Sequence, residues 1–175
     1  ALLRVIPEAV VERDYGCGDP TRWVRSGDRV LDLGSGSGKN AFICAQVVGA
    51  GGSVIGVDRN AEMLALSRGA AGVVADAIGY ANVRFLDGAI EALDEPDAAG
   101  SALVADCSLD VVLSNCVLNL VNPAARDRLL ANIRRVLAPG GRVAISDIVC
   151  DRPVPLQLQQ DPELWSGCIS GAWLE

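Results

Sequence analysis

Short apolar runs alternate with stretches of helical period along this chain. The runs are residues 30–33, 53–58, 82–86, 109–114 and 142–149, rich in Val, Ile and Leu, each with a polar residue at or near its end. Runs of that length, bounded by turn residues, read as buried strands. Between them, 39–48 opens a helical pattern and 60–66 begins another. Residues 123–137 are amphipathic, with Leu129, Leu130, Ile133, Val136 and Leu137 on one face and arginines on the other. Pro123 suits a helix start, and Ala138-Pro139-Gly140-Gly141 breaks the helix before the last run. Upstream, 2–11 reads as a short helix beginning near Pro7, and 14–20 as a loop. Residues 94–106 also read as a loop, 152–155 as an extended linker, and 161–165 as a helix start. This alternation predicts an α/β fold with a doubly wound, mainly parallel sheet and helices on both faces. Ligands of such sheets bind beyond the carboxyl ends of the strands, where Gly34, Asp58, Asp87, Asn115, Cys116 and Asp147 all fall.

The connection after the first run carries the strongest signal. Asp32-Leu33-Gly34-Ser35-Gly36-Ser37-Gly38 leads directly into the helical pattern at Lys39. Glycines let the backbone bend and approach a ligand closely, and the first amides of the helix then face that ligand. A dinucleotide fingerprint, G-x-G-x-x-G, needs its third glycine at position 39, which holds Lys39. Asp58 closes the second run 20 positions after Gly38, where doubly wound folds place an acid that accepts hydrogen bonds from ribose hydroxyls. A helix N-cap is the plainer role for that residue.

Composition then narrows the chemistry. The 175 residues suffice for one domain with a sizeable core. A net charge of −7 and scattered arginines argue against nucleic acid. No apolar stretch is long enough to span a bilayer, and no leader is visible. Histidine is absent, so no Ser-His or Cys-His pair exists. The six cysteines, Cys17, Cys44, Cys107, Cys116, Cys150 and Cys168, include no C-x-x-C pair and read as free thiols in a reducing cytoplasm. Cys17, Cys116 and Cys168 sit in polar or glycine-rich settings, whereas Cys44, Cys107 and Cys150 read as packing residues.

D-x-G-x-G-x-G resembles the first motif of the S-adenosylmethionine-dependent methyltransferases. Tyr15-Gly16-Cys17-Gly18, the glycine turn, Ser114-Asn115-Cys116-Val117-Leu118-Asn119-Leu120 and Gly167-Cys168-Ile169-Ser170-Gly171-Ala172 occur in this order. Together they resemble the arsenite S-adenosylmethionine methyltransferases. The resemblance implies a Rossmann-like class I methyltransferase fold with S-adenosylmethionine as methyl donor. The cofactor-binding set it implies is Asp32, Gly34, Ser35, Gly36, Gly38, Asp58, Arg59, Met63, Asp87, Gly88, Ala89, Ile90 and Asn115. Asp87 is expected near the adenine amino group and Ile90 on the ring face. Cys116 and Cys168 are expected to hold trivalent arsenic, with Cys17 as a third ligand or disulfide partner, and a thiol reductant is expected as a partner. The segments expected are 1–29, an N-terminal helix and the Cys17 loop; 30–150, the cofactor-binding core; and 151–175, the start of a substrate-binding region truncated before the C-terminal strands and domain. A further family cysteine is either missing or filled by Cys44, whose place on a helix argues against it. Thiolates suit soft trivalent arsenic, and activity is expected to rise with pH through the thiol range near ~8.5, or lower if the site depresses it. Methylation of another small acceptor, such as a quinone precursor or sterol-like alcohol, stays open, as does a non-catalytic module binding the cofactor or arsenic.

Overall fold

The computed structural model describes residues 2–96 and 100–175. Five parallel strands form its sheet: β1 (Arg29–Leu33), β2 (Ser53–Asp58), β3 (Val83–Asp87), β4 (Leu109–Asn115) and β5 (Leu137–Ser146), in the order β3-β2-β1-β4-β5. The order reverses at β1, so the crevice beyond the β1 and β4 carboxyl ends lies at the switch point of the topology. Three helices cover the sheet: α2 (Lys39–Val48), α3 (Ala61–Ile78) and α4 (Arg126–Val136). The doubly wound parallel sheet expected from the alternation is therefore present.

The period of two divides β1 between two cores. Val30 joins Phe42, Val54, Leu64 and Val111 under α2 and α3. Leu31 and Leu33 join Val57, Val112, Leu129 and Ile133 under α4. Each fully buried side chain of this size contributes about 1.5–3 kcal/mol of transfer free energy, and Phe42 adds an edge-to-face contact with Phe85 at 5.4 Å between centroids. The N-terminal segment shares the first core through Ile6 and Val10.

Several boundaries differ from the sequence expectation. The N-terminal helix is two pieces, a 3-10 turn (Leu2–Val5) and α1 (Glu8–Glu12), divided at Pro7, which cannot donate an amide to a helix crossing it. The amphipathic stretch begins as a 3-10 turn (Pro123–Ala125) capped by Asn122 before α4. Ala138-Pro139-Gly140-Gly141 lies inside β5, where the register against β4 is irregular between Leu109 and Val111. That strand ends at Ser146 rather than 149, and Val149–Cys150 (β6) instead pairs with Trp173–Leu174 (β7). Two short helices, α5 (Leu156–Gln159) and α6 (Pro162–Ser166), precede Cys168. Part of the loop expected over 94–106, residues 97–99, lies outside the described residues. Among the described residues, no helix is long and apolar enough to cross a membrane.

Candidate active site

The cleft beyond the β1–β4 carboxyl ends measures about 690 Å³, within the size range of small-molecule and cofactor sites, about 300–1,000 Å³. Gly34, Gly36 and Gly38 all take positive φ, at 65°, 51° and 92°. A Cβ at Gly34 would stand 2.4 Å from Val117 Cγ1, so the close approach of the β4 connection requires glycine there. The amides of Gly34 and Ser35 donate to Val57 O at 2.8 and 3.0 Å. Asp58 then fixes the turn from the β2 end: its Oδ2 accepts from Gly36 N at 2.7 Å and its Oδ1 from Asn60 N at 2.8 Å. The N-cap of α3 is Asn60, accepting from Glu62 N and Met63 N, and not Asp58, whose oxygens are engaged elsewhere. Lys39 pairs with Asp14, and Ser37 Oγ donates to Val10 O at 2.7 Å, so the N-terminal segment is tied to the turn.

Asp32 lies beneath the turn, 1% exposed, and its Oδ2 has no hydrogen-bond partner. Burial, with the Asp58 carboxylate nearby, pushes its pKa up to about 8. Ser35 Oγ is a second buried, unpartnered atom, and Ser35 lines the cleft. A polar ligand seated on the glycine turn would give it the partner that buried hydroxyls normally have.

Not every residue of the expected cofactor set reaches the wall. Gly34, Ser35, Gly36, Asp58, Arg59 and Met63 line one side, and Gly88 and Ile90 the next. Asn115, Cys116 and Cys168 close the far end. The structure does not bring Asp32, Gly38, Asp87, Ala89 or Cys17 to the wall. Asp87 is exposed, and Glu91 stands on the wall instead. Glu91 escaped the sequence reading because it sits in a 3-10 turn (Ile90–Ala92), where neither period applies.

Three remote segments meet at the far end. Asn115, the last residue of β4, grips the Cys17 loop. Its Oδ1 accepts from Cys17 N at 3.0 Å and Gly18 N at 3.2 Å, and its Nδ2 donates to Gly18 O at 2.9 Å. Cys116 follows at φ +60°, its amide donating to Ser146 O at 2.7 Å. Cys168 follows α6 at φ +62° and directs its Sγ to Cys116 O at 2.9 Å. Asn119, 1% exposed, binds this arrangement together, donating to Ile148 O at 2.7 Å and Cys168 O at 3.0 Å. Among the described residues, the only non-glycine positions at positive φ are Cys107, Cys116 and Cys168. Such a conformation costs about 1–2 kcal/mol per residue, and it clusters at functional sites.

Burial first, and then the neighbouring thiols of Cys17 and Cys168, push the pKa of Cys116 well above the ordinary thiol range. Burial likewise raises Cys168. The site thus raises the pKa of Cys116 and Cys168 and does not depress it. Asp147, just past β5, brings a carboxylate within 4.8 Å of the Cys17 and Cys116 sulfurs. Its position at a strand end was readable, but its nearness to the thiols depends on how β5 and the Cys17 loop pack. The other cysteines stay apart. Cys44 is fully buried, and Cys150 donates to Trp173 O at 3.3 Å. Cys107 is exposed, in a left-handed turn after the 94–106 loop, and is not the packing residue expected.

A family model described as a methyltransferase domain matches residues 24–174, spanning the sheet, the glycine turn and two of the three converging thiols. The chain belongs to the methyltransferase domain family. This methyltransferase domain is 44% identical over 171 residues to an arsenite methyltransferase of Aquipseudomonas alcaligenes, covering 98% of the chain and 47% of that relative. It is 44% identical over 159 residues to an arsenite methyltransferase of Halobacterium salinarum, covering 90% and 37%. Among solved structures, an arsenic(III) S-adenosylmethionine methyltransferase from Chlamydomonas reinhardtii superposes with a TM-score of 0.86 at 40% identity, covering 98% of the chain and 56% of that structure. The methyltransferase domain therefore spans about half the length of the relatives it matches.

Proposed function

We propose that this methyltransferase domain transfers the methyl group of S-adenosylmethionine to thiol-bound trivalent arsenic. The observation that carries the reading is the convergence of Cys17, Cys116 and Cys168, the last two on the wall of the same cleft that the glycine turn lines. Bound S-adenosylmethionine supplies an electrophilic sulfonium methyl. Gly34 and Gly36 would let the backbone close on it, Ser35 Oγ would gain a partner, and Asp58 holds the turn in shape through Gly36 N. Glu91 and Ile90 would border its base.

Cys116 and Cys168 would bind the arsenic, with Cys17 as the third sulfur. Trivalent arsenic in three-sulfur coordination keeps a lone pair and is itself the nucleophile, so this chain, without histidine, needs no general base for the transfer. On loading, each sulfur displaces a hydroxyl or thiolate from the arsenic, and its thiol proton leaves with that group as water or free thiol. The chain's contribution is to hold two reactants in register, an effect worth up to about 7–11 kcal/mol when orientation is good. Thiols in this role need a reducing surrounding, so the proposal includes a cytoplasmic setting with a thiol reductant.

The test is a mass-resolved product assay on the full-length protein with S-adenosylmethionine, arsenite and a thiol reductant. Methylated arsenic is the expected product. Demonstrated cofactor binding with no methylated arsenic, and no arsenite binding by the thiols, would instead leave a methyltransferase of another small acceptor.

A further inference from the structure

Sulfur is not the only donor at the far end of the cleft. The Sγ atoms of Cys17 and Cys116 and a carboxylate oxygen of Asp147 all lie within 4.8 Å of one another, and Cys168 is not part of that triplet. The three donors come from fixed backbone. The Cys17 loop is pinned by Asn115, and Cys116 by the hydrogen bond its amide donates to Ser146 O. The Asp147 carboxylate is oriented by the amides of Ile148 at 2.9 Å and Asn119 at 3.3 Å. Backbone donors of this kind aim a carboxylate at a metal without competing for its remaining lone pairs.

We propose that Cys17, Cys116 and Asp147 form a binding site for a borderline divalent cation of the zinc type, which blocks the thiol rim by taking two of its sulfurs. Ligands of tetrahedral zinc stand about 3.5–3.8 Å apart, given bonds of ~2.3 Å to sulfur and ~2.0 Å to oxygen. The triplet therefore needs a contraction of no more than about 1.3 Å at any pair. Two sulfurs exclude the hard cations Mg²⁺ and Ca²⁺, which take oxygen ligands. Three protein donors leave the fourth position to water, and the exposed Cys17 gives the ion an entry path. On binding, two S–H bonds give up their protons to solvent and two metal–thiolate bonds form, with no change of oxidation state.

The third donor separates this site from the one proposed for arsenic. Thiophilic trivalent arsenic gains little from a carboxylate and would complete its sphere with Cys168. Zinc accepts the Asp147 oxygen and has no need of Cys168. The two occupants would compete for Cys17 and Cys116 while responding oppositely to substitutions at Asp147 and Cys168. The cation site does not rest on the arsenic reading, since its donors stand in place whatever the acceptor.

Titration of the reduced full chain with Co²⁺ reads the site directly, through thiolate-to-cobalt charge-transfer bands and the visible bands of tetrahedral cobalt, both displaced by Zn²⁺. The wild type is expected to bind one Co²⁺ with these bands. Asp147→Asn and Cys17→Ser should each weaken binding by at least about ten-fold, as loss of a ligand costs no less than loss of an outer-shell partner. Cys168→Ser should leave it within about two-fold, and Asp147→Asn should leave arsenite affinity within about two-fold. Cys17 lies in an exposed loop, so its variant keeps the test valid if Asp147→Asn fails to fold. Absence of the bands in the wild type, or unchanged cobalt affinity in a folded Asp147→Asn or Cys17→Ser protein, overturns the proposal. If cobalt binds as described and arsenite does not bind, the arsenic reading falls and the cation site stands.

Discussion

The two ends of the cleft are built in opposite ways. The glycine-turn end comes from neighbours in sequence: Gly34 to Asp58 run from the turn after β1 through α2 to the end of β2, and backbone bonds to Val57 close it. The thiol end collects residues 17, 116 and 168 from a loop, a strand terminus and the segment after a short helix, joined by the side chains of Asn115 and Asn119. The first is ordinary strand-turn-helix geometry with a buried carboxyl beneath it. The second places two non-glycine residues at positive φ. A cradle of the first kind serves many reactions unchanged, whereas the second is particular to what it must hold. The division suggests that donor and acceptor functions can be damaged separately.

The sharpest separation should come from Cys116→Ser and Cys168→Ser. Each is expected to lower methyl transfer to arsenic by more than about 100-fold, a loss typical of a misplaced reactant, while S-adenosylmethionine affinity by calorimetry stays near wild type. A parallel loss of cofactor affinity would show that the two ends are one unit. Gly171→Ala comes next. Its Cβ would lie 1.8 Å from the carbonyl oxygen of Asn119, so the segment carrying Cys168 must shift. Overpacking of this kind costs about 1–3 kcal/mol, and arsenite affinity should fall roughly ten-fold or more with cofactor binding retained.

Asp58→Ala tests the opposite end. Losing the charge-assisted bond to Gly36 N is expected to weaken cofactor binding by about ten-fold and to leave arsenite binding by the thiols intact.

A last effect, on stability and spread over several pH units, concerns the buried Asp32. Its folded pKa of about 8 lies far above the ordinary carboxyl value, near 3.9 in an unfolded chain. The folded state therefore holds the proton more tightly, and the stability this contributes is complete below about pH 4 and lost as pH rises toward 8. Urea denaturation at pH 5, 6.5 and 8 should show Asp32→Asn gaining on the wild type as pH rises, by no more than about 1.4 kcal/mol per pH unit. Parallel profiles would mean that Asp32 carries no such burden.

The same contrast explains what could be read from the sequence. α2 and β2 fall where the pattern placed them, because Gly38 opens that helix, Gly49 ends it, and Val54, Ile55 and Val57 form a run buried on both faces. β5 was misplaced because a Pro-Gly-Gly stretch usually stops structure, yet Leu137 still pairs with Leu109 ahead of the irregular register. The thiol end was expected only through family resemblance: no spacing rule brings residues 17, 116 and 168 together. Asp147 and Asn119 could be noted as polar residues near strand ends, but their contacts arise from tertiary packing. Cys107 misled because a cysteine is usually a small buried hydrophobe, and its left-handed turn leaves no such trace in the sequence.

The wide spacing of the three thiols has a consequence for the protein's own stability. An atom held by all three sulfurs would act as a staple across most of the chain, closing loops that an unfolded polypeptide keeps open at little cost. The unfolded chain, with no paired C-x-x-C motif, would compete poorly for the same atom. At a free concentration 100 times its dissociation constant, a ligand specific to the folded state adds about 2.7 kcal/mol. Under the proposed function, the toxic substrate would then also be a folding ligand, and the protein would be most resistant to unfolding when its substrate is abundant.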